Sequence, residues 1–135
     1  MFRFIVSLIC LWGFTTQVHA GGHLNVILRT DKTALGNDLV YPEGKARISA
    51  FELTVPVGGP ITPHTHSFPV LVMIQEGEAT ITYEDGTVSV YKAGDAFLED
   101  TWIVHSSENT GNVPVKLLVV AIGVEGERVM TPVEN

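Results

Sequence analysis

Two histidines separated by one residue, His64 and His66, are the clearest sign of chemistry in this sequence. In an extended segment, residues two apart point to the same side, so both imidazoles can reach one metal ion. Taken alone, the pair is a weak signal, because two surface histidines without a ligand role are at least as common. A third histidine, His105, gains significance from the residues around it.

Glycines and an asparagine stand at regular distances from these three histidines. They are Gly58, six residues before His64, Gly77, eleven after His66, Gly94, eleven before His105, and Asn109, four after His105. The pattern resembles the two signature motifs of the cupin superfamily, G-x5-H-x-H-x3,4-E-x6-G and G-x5-P-x-G-x2-H-x3-N, over roughly residues 45–122. The resemblance implies an all-β, jelly-roll (double-stranded β-helix) cupin barrel. It also implies that His64, His66 and His105 hold one divalent transition metal ion.

Three positions depart from these motifs. Val70 stands where the first motif has its glutamate, the usual fourth ligand, and Asp100 and Trp102 replace the proline and second glycine of the second motif. Three neutral imidazoles still form a reasonable site for Fe, Zn, Cu, Ni or Mn, with positions open for water or substrate. The alternative is a cupin barrel that has lost its metal along with its glutamate.

Other residues near the histidines have two interpretations each. Three acids flank His105 and either orient its free ring nitrogen or are solvated loop residues: Glu99, Asp100 and Glu108. Three large apolar residues either line a ligand pocket in the barrel mouth or pack in the core: Phe68, Met73 and Trp102.

Alternation of apolar and polar residues predicts that strands must position these groups. Ala79, Ile81 and Tyr83 share one face before Asp85-Gly86, a dipeptide typical of tight hairpin turns, and alternation resumes over Thr87–Tyr91. Further predicted strands are Leu24–Arg29, Ala46–Val55, Val70–Gln75, Ala96–Leu98 and Leu117–Ile122, the last apolar on both faces and therefore expected in the core. No stretch after residue 20 has a convincing helical period, so we predict one all-β domain.

The first twenty residues predict a signal peptide. Arg3 precedes an apolar run over Phe4–Phe14, and Val18-His19-Ala20 suits a signal peptidase. Cleavage there would leave a single cupin domain over residues 21–135, exported to the periplasm or secreted, with no stable membrane span. It would also remove Cys10, the one cysteine of the chain. An uncleaved N-terminal anchor is the alternative.

Cleavage after Ala20 would expose a second metal-binding sequence, Gly21-Gly22-His23. A free amine, two deprotonated backbone amides and the imidazole form a square-planar set of nitrogens that suits Cu(II) or Ni(II). The alternative is that small residues follow the cleavage site only to suit the peptidase.

The charge balance narrows the range of partners. A formal charge of −7, without a run of basic residues, argues against nucleic acid and anionic membranes. We expect a small-molecule metalloenzyme of the dioxygenase, isomerase or lyase type, in which the metal polarises substrate oxygens. The alternative is a non-catalytic protein that binds a metal or small ligand, for example in copper or nickel handling. The resemblance to small cupins also implies a homodimer.

Overall fold

A computed structural model describes residues 21–133 of the chain, and within this range the regular structure consists of strands. The strands are β1 (Ala46–Val55), β2 (Pro60–Thr65), β3 (Val70–Glu76), β4 (Glu78–Tyr83), β5 (Val88–Lys92), β6 (Ala96–Glu99), β7 (His105–Glu108), β8 (Val115–Val124) and β9 (Thr131–Pro132). The all-β prediction is therefore confirmed. No helix in this range is long and apolar enough to cross a membrane. The predicted signal peptide lies outside the described residues.

The strands form two antiparallel sheets that face each other. One has the order β1-β8-β3-β6 and the other the order β5-β4-β7-β2-β9. Strands that are neighbours in a sheet are mostly distant in sequence, which is the connectivity of a jelly roll. The two sheets enclose a core to which β3, β4 and β8 contribute most of the residues, so the predicted jelly-roll barrel is confirmed.

The inner face of the first sheet supplies much of the core. Inward residues of β3 and β8 pair in register, Val70 with Ala121, Val72 with Val119 and Ile74 with Leu117. The predicted strand over Leu117–Ile122 exists within β8, but its outward residues are half-exposed rather than buried. The reason is that no second layer covers the outer face of this sheet within the described chain.

The predicted hairpin joins β4 to β5, with Ala79, Ile81 and Tyr83 buried on one face. Its turn is closed by the Gly86 amide, which donates to the Tyr83 carbonyl at 2.9 Å, and Gly86 has a φ of 85°. The turn is wider than a two-residue loop, since the last cross-strand pair is Thr82 with Val88.

A second glycine, Gly77, is required where β3 passes into β4. Its φ is 79°, and a Cβ atom there would lie 2.9 Å from the Pro114 carbonyl oxygen and 3.0 Å from Val115 Cα. Only glycine avoids both the backbone strain and the clash with a neighbouring main chain. This explains the motif glycine that ends the first histidine segment.

One predicted strand, Leu24–Arg29, is wrong. The segment has no strand partner among the described residues, and Leu24, Val26 and Ile27 are exposed. Alternation signals the propensity for a strand, but a strand forms only where another strand offers its backbone groups. Residues 31–39, by contrast, fold into a loop that is docked on β6, where the Ala34 amide donates to the Leu98 carbonyl at 2.8 Å.

Candidate metal centre

The three predicted ligands come from two neighbouring strands and the loop that follows one of them. His64 lies near the end of β2 and pairs directly with His105, the first residue of β7. His66 is the residue immediately after β2, two positions beyond His64, and is therefore on the same side of the chain as His64. All three side chains are buried, and their ring centroids lie 4.4–5.2 Å apart.

The orientation of each ring is fixed by its Nδ1 atom. His64 Nδ1 donates to the Thr62 carbonyl at 2.8 Å, and His105 Nδ1 donates to the Ile103 carbonyl at 3.0 Å. His66 Nδ1 donates to the carbonyl of Val129, on the segment before β9. A carbonyl only accepts hydrogen bonds, so each Nδ1 carries the proton and each Nε2 of a neutral ring presents a lone pair. Metal-binding histidines are commonly oriented in this way.

The ring nitrogens converge on one point. One nitrogen from each ring lies within 4.8 Å of the others, close enough for one ion to contact all three. The Nε2 atoms of His66 and His105 are buried without a well-directed hydrogen bond from any described residue. Buried polar atoms are normally satisfied, so unpaired nitrogens that point to a common centre fit a metal site.

A fourth group, Glu99, enters this cluster from β6. Its Oε2 lies 2.8 Å from His66 Nε2, and its Oε1 lies 3.5 Å from His105 Nε2. The hypothesis that Glu99 orients the free nitrogen of His105 is therefore wrong, because the backbone already holds that Nδ1. The hypothesis that Glu99 is a solvated loop acid is also wrong, because the side chain is buried. The sequence spacing gave no sign of this role.

The contacts shift the pKa values of the buried groups. Burial by itself would raise the pKa of Glu99, but the contacts with His105 and His66 outweigh it and lower the pKa to about 2. Burial would likewise lower the pKa of His105, but the Glu99 carboxylate outweighs it and raises that pKa. The pKa of His64 is lowered, chiefly by burial and further by the two neighbouring histidines. The cluster is thus an electrostatically coupled unit.

The other two acids near His105 have different environments. Asp100 is buried, yet it faces away from the histidines and accepts hydrogen bonds from Thr33, Leu35 and Asn37 in the loop 31–39. It therefore holds this loop on the barrel, a role neither interpretation anticipated. Glu108 is exposed, as expected of a solvated residue.

The second motif keeps its backbone shape despite its substitutions. Trp102 occupies the position of the motif glycine and is the one non-glycine residue between residues 21 and 133 with a positive φ, of 63°. Its amide donates to the His66 carbonyl at 2.8 Å, which ties the loop before β7 to the segment that carries His66. Asn109, at the end of the motif, is buried and bonds to Val55, Val113 and Gly111.

A cavity of about 120 Å³ adjoins the centre and is bordered by His64, His66 and Glu99. The rest of its wall is mainly apolar and includes Leu53, Val72, Ile81, Phe97, Leu117 and Met130. The predicted pocket residues do not line it: Phe68 is in the core, Met73 is half-buried on the outer face of β3, and Trp102 is 70% exposed.

Known structures share this architecture. A protein from Bacillus halodurans is 19% identical, with a TM-score of 0.54 over 63% of this chain and 69% of that one. The DMSP lyase of Ruegeria pomeroyi is 22% identical, with a TM-score of 0.55 over 63% of this chain and 42% of the lyase. A predicted oxalate decarboxylase from Thermotoga maritima is 33% identical, with a TM-score of 0.51 over 58% of this chain and 67% of that one.

Sequence comparison is consistent with the structural result. No curated protein matches this chain at a significant level. The sequence model of the cupin domain matches residues 51–121, the part of the chain that contains all three histidines and Glu99. The chain therefore belongs to the cupin domain family, and its His64, His66 and His105 form a cluster able to bind a transition metal ion.

Proposed function

We propose that this protein is a divalent-metal-dependent enzyme that acts on a small, mostly apolar molecule with an oxygen-containing head group. The observation that carries the proposal is the position of the histidine cluster, since His64 and His66 line a mainly apolar cavity. A site that only stored or transferred metal would not need an apolar cavity beside the ion.

The size and lining of the cavity limit the substrate. An apolar cavity of about 150 Å³ holds a molecule the size of benzene, and this cavity measures about 120 Å³. Among residues 21–133, no lysine or arginine lines it. The head group, such as a carbonyl, enol or carboxylate, would therefore be bound by the metal, and the apolar body by residues such as Ile81, Phe97 and Leu117.

A bound divalent ion would polarise the substrate oxygen as a Lewis acid. The protein supplies the remaining requirements. The Nδ1 bonds to Thr62, Val129 and Ile103 keep the three rings in place, so no ring must reorient when substrate arrives. The apolar wall excludes water, which strengthens electrostatic interactions at the centre. Isomerisation, lyase and oxygen-dependent cleavage reactions are all compatible with this arrangement. Two of the structural relatives are named as a lyase and as a predicted oxalate decarboxylase.

The first experiment measures metal content. The purified protein is stripped with a chelator, reloaded with Mn²⁺, Fe²⁺, Zn²⁺, Ni²⁺ or Cu²⁺ in turn, and analysed by mass spectrometry. We expect about one equivalent of Mn²⁺, Fe²⁺ or Zn²⁺ in the wild type, and none of these ions in a folded His66→Ala variant. His23→Ala, which changes an exposed histidine outside the barrel, is the matched control and should keep its metal. Full loading of His66→Ala would overturn the assignment.

The same variants separate the enzyme from the alternative of copper or nickel handling. If the Gly21-Gly22-His23 terminus is the functional site, His23→Ala loses copper and nickel selectively, whereas His66→Ala keeps them. Binding of benzoate-sized ligands to the metal-loaded wild type, measured by calorimetry, favours the enzyme.

We also propose that the protein acts in the periplasm or outside the cell, on the basis of the sequence before Gly21. N-terminal sequencing of the protein from its native compartment tests this directly. A mature chain that begins at Gly21 supports export, and a chain that retains Met1 contradicts it. The predicted homodimer stays a prediction, to be checked by light scattering.

A further inference from the structure

We infer that Glu99 is the fourth metal ligand of this centre, supplied by β6 in place of the glutamate that the motif would place on β3. The inference rests on the proposed metal binding and specifies the ligand set. It changes the expected site from three histidines to three histidines and one carboxylate.

The first argument is the chemistry of the facing atoms. Because each Nδ1 donates to a carbonyl, the Nε2 atoms of His66 and His105 present lone pairs, and these lie 2.8 Å and 3.5 Å from carboxylate oxygens of Glu99. Lone pairs on nitrogen and oxygen repel each other unless a proton or a metal ion lies between them. One proton can bridge one nitrogen and one oxygen, whereas a metal ion bound by all of these atoms removes the repulsion at every contact.

The second argument is the register of the sheet. Val70 and Glu99 are directly opposite each other in the antiparallel pair of β3 and β6. Opposite residues project from the same face with Cβ atoms about 5 Å apart. The longer glutamate side chain at position 99 can therefore reach the space that a glutamate at position 70 would occupy. Val70 itself is fully buried and packs in the core.

The third argument is the cost of burying this carboxylate. Glu99 is 9% exposed, and among residues 21–133 its carboxylate contacts the ring nitrogens of His66 and His105. A buried charge is stable only when it is paired or coordinates a metal. A carboxylate in the first coordination shell would also reduce the charge of a divalent centre from +2 to about +1, and hence the cost of holding the ion in an apolar barrel.

The test measures metal affinity and coordination together. Glu99→Gln keeps the size of the side chain and removes the charge, and Glu84→Gln, on an exposed turn, is the matched control. We expect Glu99→Gln to weaken Zn²⁺ affinity at least tenfold, and to change the visible absorption spectrum of the Co²⁺-loaded protein. Glu84→Gln should leave both unchanged. The spectrum reports the ligands of the ion, so a purely structural role of Glu99 would not alter it.

A double variant tests the register argument. Val70→Glu combined with Glu99→Val moves the carboxylate back to β3, and it should restore most of the affinity lost in Glu99→Gln. A folded double variant that binds Zn²⁺ no better than Glu99→Gln would overturn the inference.

The possible failures are distinguishable. A wild type that binds no divalent metal refutes the proposed function. A wild type that binds metal through His66, together with a Glu99→Gln variant that loses less than tenfold or keeps the wild-type Co²⁺ spectrum, refutes only the role of Glu99.

Discussion

Asp100 should be one of the most important polar residues for stability, although it belongs to no catalytic cluster. Its buried carboxylate accepts hydrogen bonds from the Thr33 hydroxyl, from the Leu35 amide at 3.1 Å and from the Asn37 side-chain amide at 2.8 Å. Replacement by alanine leaves these donors without an acceptor. We therefore expect Asp100→Ala to loosen the loop 31–39 from the barrel.

The structure allows the magnitude to be bounded. A hydrogen bond to a charged group contributes about 1.5–3 kcal/mol, so three bonds set an upper limit of roughly 5–9 kcal/mol. The actual loss is smaller, because the loop is partly exposed and its donors can bind water once they are released. A buried donor left without an acceptor typically costs about 1–3 kcal/mol, and we expect a total loss of about 3 kcal/mol.

Urea unfolding in the presence of a chelator measures the loss, since bound metal would otherwise add to the stability of the native state. Hydrogen exchange should show that the Leu35 amide loses its protection before the core strands do. Asp38→Ala is the matched control: Asp38 forms an exposed ion pair with Lys32, and its loss should cost less than about 1 kcal/mol. If Asp100→Ala costs no more than Asp38→Ala, the anchoring role is refuted.

Three further predictions follow from local geometry. Gly77→Ala should lower the free energy of unfolding by more than about 2 kcal/mol, because it adds a clash to the strain of a positive φ. Gly86 also has a positive φ but has open space around it, so Gly86→Ala should cost only about 1 kcal/mol. Equal losses in the two variants would contradict this reasoning. Tyr83→Phe should stabilise the metal-free protein by roughly 1 kcal/mol in thermal unfolding, because the buried Tyr83 hydroxyl has no hydrogen-bond partner among the described residues. A clear destabilisation would mean that the hydroxyl does have a hydrogen-bond partner. In the metal-free wild type, the raised pKa of His105 contributes stability that is complete below its unfolded pKa of about 6.5 and is lost as the pH rises through the folded value. Glu99→Gln should move this titration to lower pH in NMR spectra, and an unchanged midpoint would assign the shift to another group.

Patterns along the chain predicted the parts of the fold that depend on neighbouring residues. Alternation located β1 over Ala46–Val55 at the bounds found in the structure, and the H-x-H spacing placed His64 and His66 on one side of the chain. The same alternation failed for Leu24–Arg29, because strand formation also depends on an available partner strand. The sequence pattern therefore indicates the propensity of a segment to form a strand, whereas the rest of the barrel determines whether that strand finds a partner.

Trp102 illustrates a substitution whose consequence the sequence could not give. The motif glycine at this position suggests a positive φ, which residues other than glycine adopt less readily. The loop keeps the positive φ of 63° because it is held from both sides, by the bond from the Trp102 amide to His66 and by β7. Backbone conformations of this kind persist where the surrounding structure determines them strongly.

The fourth carboxylate shows why a motif read along the chain can miss part of a site that is built across a sheet. Positions 70 and 99 are far apart in sequence, and only the pairing of β3 with β6 makes them neighbours. A metal ion imposes requirements on donor atoms and distances, and it imposes none on the strand that supplies them. Exchange of the carboxylate between opposite positions would therefore leave the chemistry of the centre nearly unchanged while erasing the sequence signature. In that case Val70, at the motif position, packs in the core, and Glu99 on the opposite strand supplies the carboxylate. The absence of a glutamate from the motif would then be no sign of a lost metal site.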